Sequence, residues 1–292
     1  MQIIHTISEL RTALKQQPKI GFVPTMGNLH AGHIHLVEIA KQNASCVVVS
    51  IFVNPLQFGA NEDFGSYPRT LEADCEKLKA AGADIVFAPN VSEMYPQVTE
   101  NKSNGKNLNQ SMTITPPPIA SELCGASRPG HFAGVATVVM KLFNMVQPQI
   151  AVFGKKDFQQ LFIIKEMVKQ FNLPIQIIAG ETMREASGLA MSSRNGYLNE
   201  AQRTQSAQLN AALQHIAQQL KNGHQDFTSL EKTAAQQLNQ NHWEVDYISI
   251  RSANTLQPAQ AGDKQLVVLG AAKISNNLGG KTRLIDNLEV HI

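Results

Sequence analysis

The chain alternates short, continuously apolar runs with longer stretches whose apolar positions recur every three or four residues. IGFVPT (20–25) and CVVVSIFVN (46–54) flank a segment, 33–43, in which Ile34, Val37 and Ala40 share one helical face. Runs without polar interruption read as parallel strands covered on both sides. The same alternation predicts a helix over 70–81, a strand over 84–89 and a helix over 134–146. A strand over 150–154, a helix over 157–171 and a strand over 175–180 follow. This is the pattern of an α/β fold, a doubly wound Rossmann-like parallel sheet that receives ligands at the carboxyl ends of its strands.

Two stretches depart from that rhythm. Between about 97 and 131 the chain turns polar and then proline-rich, which predicts a long excursion or hairpin. After Glu181, Gln-rich helical segments (200–221 and 227–239) precede three strand-like runs, 245–251, 265–274 and 283–290, with no helix between them. That order predicts a second, smaller α+β domain with an antiparallel sheet, so the expected division is 1–182 and 183–292.

Composition narrows the function classes. With 43% hydrophobic and only 16% charged residues in 292, a large core is expected and a disordered chain is not. A net charge of +2 is too mild for a dedicated nucleic-acid binder. Cys46, Cys75 and Cys124 lie far apart with no C-x-x-C, which predicts neither a disulfide framework nor a zinc knuckle. The longest apolar run, 46–53, is far short of the ~20 residues that span a membrane, and the first fifteen residues lack a signal-peptide core. No nucleic-acid or membrane partner is expected, and the location expected is cytoplasmic.

The candidate chemistry begins in PTMGNLHAGHIHLVEIA (24–40), at the turn from the first strand into its helix. Unpaired backbone N–H groups and the helix dipole favour anions there, and Gly27 and Gly32 let backbone approach one closely. His30 and His33, three apart, fall on one face and can donate to phosphate oxygens, more strongly if a developing negative charge protonates them. The alternative is a pair of surface histidines at a helix start, the reading retained for His35. Asn54 and Gln57 follow the second strand, where their amides can meet a small polar substrate or form a polar loop. Gly59 and Gly65 mark the segment after them as a possible lid. Asp74 is either a magnesium ligand or an exposed helix carboxylate. FGKKDFQQL (153–161) brings Gly154, Lys155, Lys156 and Asp157 to a strand-to-helix turn, a set suited to ATP phosphates and ribose. LAMSSRNGYL (189–198) offers Ser192, Ser193 and Arg194 to a triphosphate, or a serine cap in a hinge.

TMGNLHAGH resembles the H-x-G-H signature of nucleotidylyl transferases and class I aminoacyl-tRNA synthetases. VPTMGNLHAGHIHLV followed by VVVSIFVNPLQF is similar to the pantothenate synthetase (pantoate–β-alanine ligase) family, and the ordered blocks at 125–139, 153–161, 189–198 and 282–287 extend the resemblance. It implies an ATP-dependent ligation of pantoate to β-alanine through pantoyl adenylate, with AMP and pyrophosphate released, Mg2+ as cofactor and a homodimer as the assembly. It places ATP on Met26, Gly27, Asn28, Leu29, His30, Ala31, Gly32 and His33, on Gly154 to Asp157, and on Met191 to Arg194, with Met183 near the adenine. Gln57 and Gln160 face pantoate, joined by Asn54, and His30, His33 and Lys156 carry the chemistry. Relatives usually have Glu at the position of Lys155 and commonly Arg at that of Ala133; Arg128 and His131 are either loop or substrate residues. Two competing readings are a nucleotidylyl transferase for a phosphate ester and a nucleotide sensor without chemistry.

Overall fold

The computed structural model of the protein describes residues 1–59, 62–95 and 110–292. It divides into two compact units: Met1–Gly154 with Gln160–Gly180, and Lys155–Gln159 with Glu181–Ile292. The short piece 155–159 therefore packs with the carboxyl-terminal unit, although sequence continuity places it in the first domain.

In the first unit the chain runs β1 (Gln2–Ile4), α1 (Ile7–Leu14), β2 (Ile20–Thr25), α2 (Ala31–Asn43), β3 (Cys46–Ile51), α3 (Leu71–Ala80), β4 (Ile85–Phe87) and α4 (Val91–Met94). It continues through α5 (Cys124–Ser127), α6 (His131–Val146), β5 (Ile150–Gly154), the body of α7 (Phe158–Gln170) and β6 (Gln176–Gly180). The six strands form one parallel sheet in the order β1-β4-β3-β2-β5-β6. Alternation along the strands explains the continuous apolar runs. Phe22, Val48 and Ala151 bury into one core with Leu10 of α1, Leu142 of α6 and Leu161 of α7. Their neighbours Val23, Val47, Val49 and Val152 enter another with Val37 of α2 and Leu78 of α3. Both faces are covered, so the interior strands β2, β3, β4 and β5 are buried along almost their whole length.

β1 and α1 are not foreseen by the hydrophobic pattern: β1 is a three-residue edge strand, and its register is set by pairing with β4 some eighty positions on. The hairpin expected over 97–131 lies outside the described residues as far as 109. From 110 onward the described chain holds a single 3-10 turn at Pro118–Ser121 and α5, with no strand before α6.

The second unit is α8 (Glu200–Lys221), α9 (Phe227–Gln240) and an antiparallel sheet of β7 (Glu244–Ser252), β8 (Gln265–Ser275) and β9 (Lys281–His291), in that order. Leu209, Leu213, Ile216 and Leu220, at helical spacing on α8, bury against Ile248, Leu266 and Val268. Gly270 lets α8 approach β8, because a Cβ there would stand 3.0 Å from the Leu209 side chain. Among the described residues no helix is long and apolar enough to cross a membrane.

Candidate active site

The turn between β2 and α2 is built by backbone geometry and one carboxylate. Gly27 (φ +84°) and Asn28 (φ +52°) are both left-handed, which reverses the chain at the carboxyl end of β2. Asp74, fully buried at 0% exposure on α3, accepts from the N–H of Asn28 at 2.8 Å and of Leu29 at 2.8 Å, and from the Thr70 hydroxyl at 3.0 Å. Lys77 donates to the Leu29 carbonyl at 2.7 Å. Asp74 is thus buried rather than exposed, its oxygens engaged by the turn and, at 3.9 Å, by the Lys77 ammonium. Leu29, expected at the nucleotide, has its side chain buried in the apolar core and its N–H and carbonyl both taken by the turn.

His30 and His33 close the turn as a capping box at the start of α2. The Gly32 N–H donates to His30 Nδ1 at 3.2 Å, and the His30 N–H donates to His33 Nδ1 at 3.3 Å. An Nδ1 that accepts from a backbone N–H leaves Nε2 as the donor of each ring. The ring centroids lie 4.1 Å apart. His35, off this face, lies 3.6 Å from Glu38.

At the end of β3, Asn54 is 1% exposed and its amide is fully used by the protein. Its Nδ2 donates to Gln57 Oε1 at 3.1 Å and to the Gly134 carbonyl at 3.2 Å. Its Oδ1 accepts from the Leu56 N–H at 3.3 Å and from the Tyr95 hydroxyl at 2.7 Å. Asn54 therefore orients Gln57. With Oε1 held, Gln57 presents its Nε2, 3.1 Å from Met26 Sδ. Burial pushes the Tyr95 phenol far up, so it stays a proton donor to Asn54.

The Gln57 backbone is clamped as well. His131 Nδ1 donates to its carbonyl at 2.9 Å, a carbonyl being only an acceptor, and Arg128 reaches the same oxygen at 3.4 Å. Arg128 in turn grips Glu62 through Nε at 2.8 Å and a terminal nitrogen at 2.5 Å. Burial alone would raise the Glu62 carboxyl, but these contacts outweigh it and hold it below its ordinary value. Gly134 permits the close approach of α6, since a Cβ would fall 2.4 Å from the Leu56 carbonyl oxygen. Asp74, Tyr95, Arg128 and His131 are thus supports of the candidate residues. Only the last two lie in a quoted motif, and nothing local marks the others. Gln160 is half-buried on α7, and Gly154 ends β5 beside Gly180.

In the second unit, Lys155 to Asp157 form a 3-10 turn before α7. Lys155 Nζ lies 2.6 Å from Glu181 and 2.5 Å from Glu289, so the positive charge this residue adds is met by two carboxylates. Lys156, half-buried, is 3.9 Å from Asp157. Met183 and Met191 are brought together across a hairpin, the Met191 N–H donating to the Met183 carbonyl at 2.9 Å. Ser192 caps the short 3-10 helix Ser193–Tyr197, accepting from the Arg194 N–H at 3.2 Å.

The family model for pantoate-beta-alanine ligase matches residues 2–289 of this chain. The chain belongs to the pantoate–β-alanine ligase family. It is similar to the pantothenate synthetase of Methylobacillus flagellatus, with 62% identity over 100% of this chain and 99% of that protein. Its structure is similar to the crystal structure of pantothenate synthetase from Thermus thermophilus, with a TM-score of 0.90, 40% identity and full coverage of both chains. It is also similar to pantoate-beta-alanine ligase from Francisella tularensis, with a TM-score of 0.78, 34% identity and coverage of 99% and 97%. That protein was crystallised with beta-gamma ATP and beta-alanine. The structural match accounts for the parallel sheet with its smaller antiparallel companion.

Proposed function

We propose that this chain joins pantoate to β-alanine at the expense of ATP, by way of pantoyl adenylate. A carboxylate acylates poorly because its leaving group would be oxide, and adenylation replaces that with AMP. In the first step a pantoate carboxylate oxygen bonds to the α-phosphorus as the bond to the β-phosphate bridge breaks, releasing pyrophosphate. In the second the β-alanine amine bonds to the acyl carbon, AMP departs, and the amine loses a proton.

The observation that carries this reading is the His30–His33 capping box, which points two fixed Nε2–H donors from one helix start. Such donors suit charge that develops on a transferring phosphoryl group. We assign His30 and His33 to the phosphate oxygens and Lys156 to the triphosphate charge. Met26 to His33, Gly154 to Asp157, Met183 and Met191 to Arg194 are assigned to ATP, with Leu29 acting through its turn and Lys155 through its backbone. Gln57 Nε2 and Gln160 are assigned to pantoate, Gln57 being aimed by Asn54. For Mg2+, no group of three or more His, Cys, Asp or Glu suited to a metal occurs among the described residues, and Asp74 already accepts from two backbone N–H groups and the Thr70 hydroxyl. We place magnesium on the nucleotide phosphates and route no step through it. A homodimer in the cytoplasm completes the reading. Incubation with ATP, pantoate and β-alanine should yield AMP and pyrophosphate only when pantoate is present; ADP and phosphate would refute it.

A further inference from the structure

Two adjacent residues of β9, Asp286 and Asn287, are 4% and 5% exposed, and their side chains serve different segments of the second unit. Strand alternation sends them to opposite faces. Asn287 donates both amide hydrogens to backbone carbonyls, of Lys155 at 2.9 Å and of Lys156 at 2.8 Å. Two positions on, Glu289 takes the Lys155 ammonium at 2.5 Å. Asp286 accepts a two-pronged grip from Arg184 at 2.6 and 2.9 Å and a bond from Asn210 of α8 at 3.0 Å. Arg184 also donates to the Gly188 carbonyl at 3.0 Å and to the Asn287 carbonyl at 3.3 Å. Gly188 lies in the hairpin that pairs Met183 with Met191 and leads into Ser192–Arg194.

One dipeptide therefore holds two of the segments to which nucleotide contacts are assigned, although they are about thirty residues apart in sequence and β9 is more than a hundred from the first. We infer that Asp286 and Asn287 are positioning residues for ATP: they fix the backbone that aims Lys156 in register with the Met183–Arg194 hairpin. The inference rests on the ATP roles given under Proposed function. Its physical reason is that buried carbonyls accept only where a donor stands, so the Asn287 amide dictates the path of the turn carrying Lys156. A residue that merely filled space there would need no paired donor. Asn287 has no assigned contact with pantoate, so its loss should be felt by ATP alone.

The test compares wild type with Asn287→Ala and with the surface variant Glu289→Gln, which removes the charge of one tether without touching the core. ATP affinity is measured by calorimetry, and KM for ATP and for pantoate by steady-state turnover. Leu220→Ala, in the apolar core of the same unit, serves as the stability control. Asn287→Ala is expected to weaken ATP binding and raise KM for ATP by roughly tenfold or more, the scale of losing two buried hydrogen bonds. Glu289→Gln should raise it by about threefold, with KM for pantoate within about twofold for both. Leu220→Ala should lower the folded fraction and leave both KM values unchanged. If Asn287→Ala does not fold, Glu289→Gln alone decides: an unchanged KM for ATP overturns the inference. So does an equal rise in both KM values, or an ATP effect in Leu220→Ala matching that in Asn287→Ala. A wild type that binds ATP but makes no AMP with pantoate defeats the functional reading only, since calorimetry still reads the positioning role. A wild type that does not bind ATP defeats both.

Discussion

Replacing Asp74 by Asn keeps the shape and removes the charge of the carboxylate that holds the Asn28 and Leu29 N–H groups. An amide has one acceptor oxygen, and in either orientation its NH2 faces one of those backbone donors. The Thr70 hydroxyl can rotate to accept, but the backbone N–H cannot. One buried donor is left unpaired, at a cost of about 1–3 kcal/mol, and the surviving bond loses its charge assistance, worth roughly 1 kcal/mol. The expected destabilisation is therefore about 2–4 kcal/mol, a large share of the ~5–15 kcal/mol that holds a typical domain. Asp74→Ala should cost more, since both donors lose their partner. Urea unfolding followed by far-ultraviolet circular dichroism measures this, because the single tryptophan, Trp243, lies in the other unit and would report on that one. Activity per folded molecule should fall as well, by about tenfold if loosening the turn withholds ~1.4 kcal/mol from the transition state. An Asp74→Asn variant within about 0.5 kcal/mol of wild type, with unchanged turnover, would refute the argument that this carboxylate builds the histidine turn.

Three further outcomes follow from other parts of the molecule. Lys156→Ala should slow adenylate formation by roughly 10²-fold, the scale of one lost charge-stabilising donor, and an unchanged single-turnover rate would contradict that role. Tyr95→Phe removes only the hydroxyl on Asn54, so it should cost about 1 kcal/mol and raise KM for pantoate while sparing KM for ATP; equal shifts in both would count against the Asn54–Gln57 relay. Because Arg128 holds the Glu62 carboxyl below its ordinary value, that contact stabilises the fold fully above the unfolded value, about 4.3, and is lost as pH falls through the lower folded one. The melting-temperature advantage of wild type over Glu62→Gln should accordingly be complete at neutral pH and disappear once pH has fallen below the lowered folded value, and a pH-independent difference would exclude an ionic latch.

The parallel sheet was legible because burial on both faces forces predominantly apolar runs such as Cys46–Ile51, broken only by Ser50, which local pattern alone displays. The histidine pair was legible for a related reason: a three-residue spacing at a helix start puts two rings together wherever the helix packs. What stayed hidden depends on partners distant in sequence. Asp74 looks like any acidic residue in a first helical turn until the fold brings Asn28 and Leu29, about forty-five positions away, onto it. Asn54 has the chemistry of a substrate contact, and only its neighbours show that this chemistry is spent inside the protein. The allegiance of Lys155–Gln159 to the second unit is written in Asn287, about 130 residues on, where no periodicity could reveal it.

The account turns on a covalent event, transfer of a carboxylate oxygen onto the α-phosphorus. Pantoate labelled with oxygen-18 in its carboxylate, turned over with ATP and β-alanine, tests that event directly through mass spectrometry of the nucleotide product. One labelled oxygen per AMP is the result predicted. Label recovered in inorganic phosphate, or AMP formed without it, would contradict the mechanism.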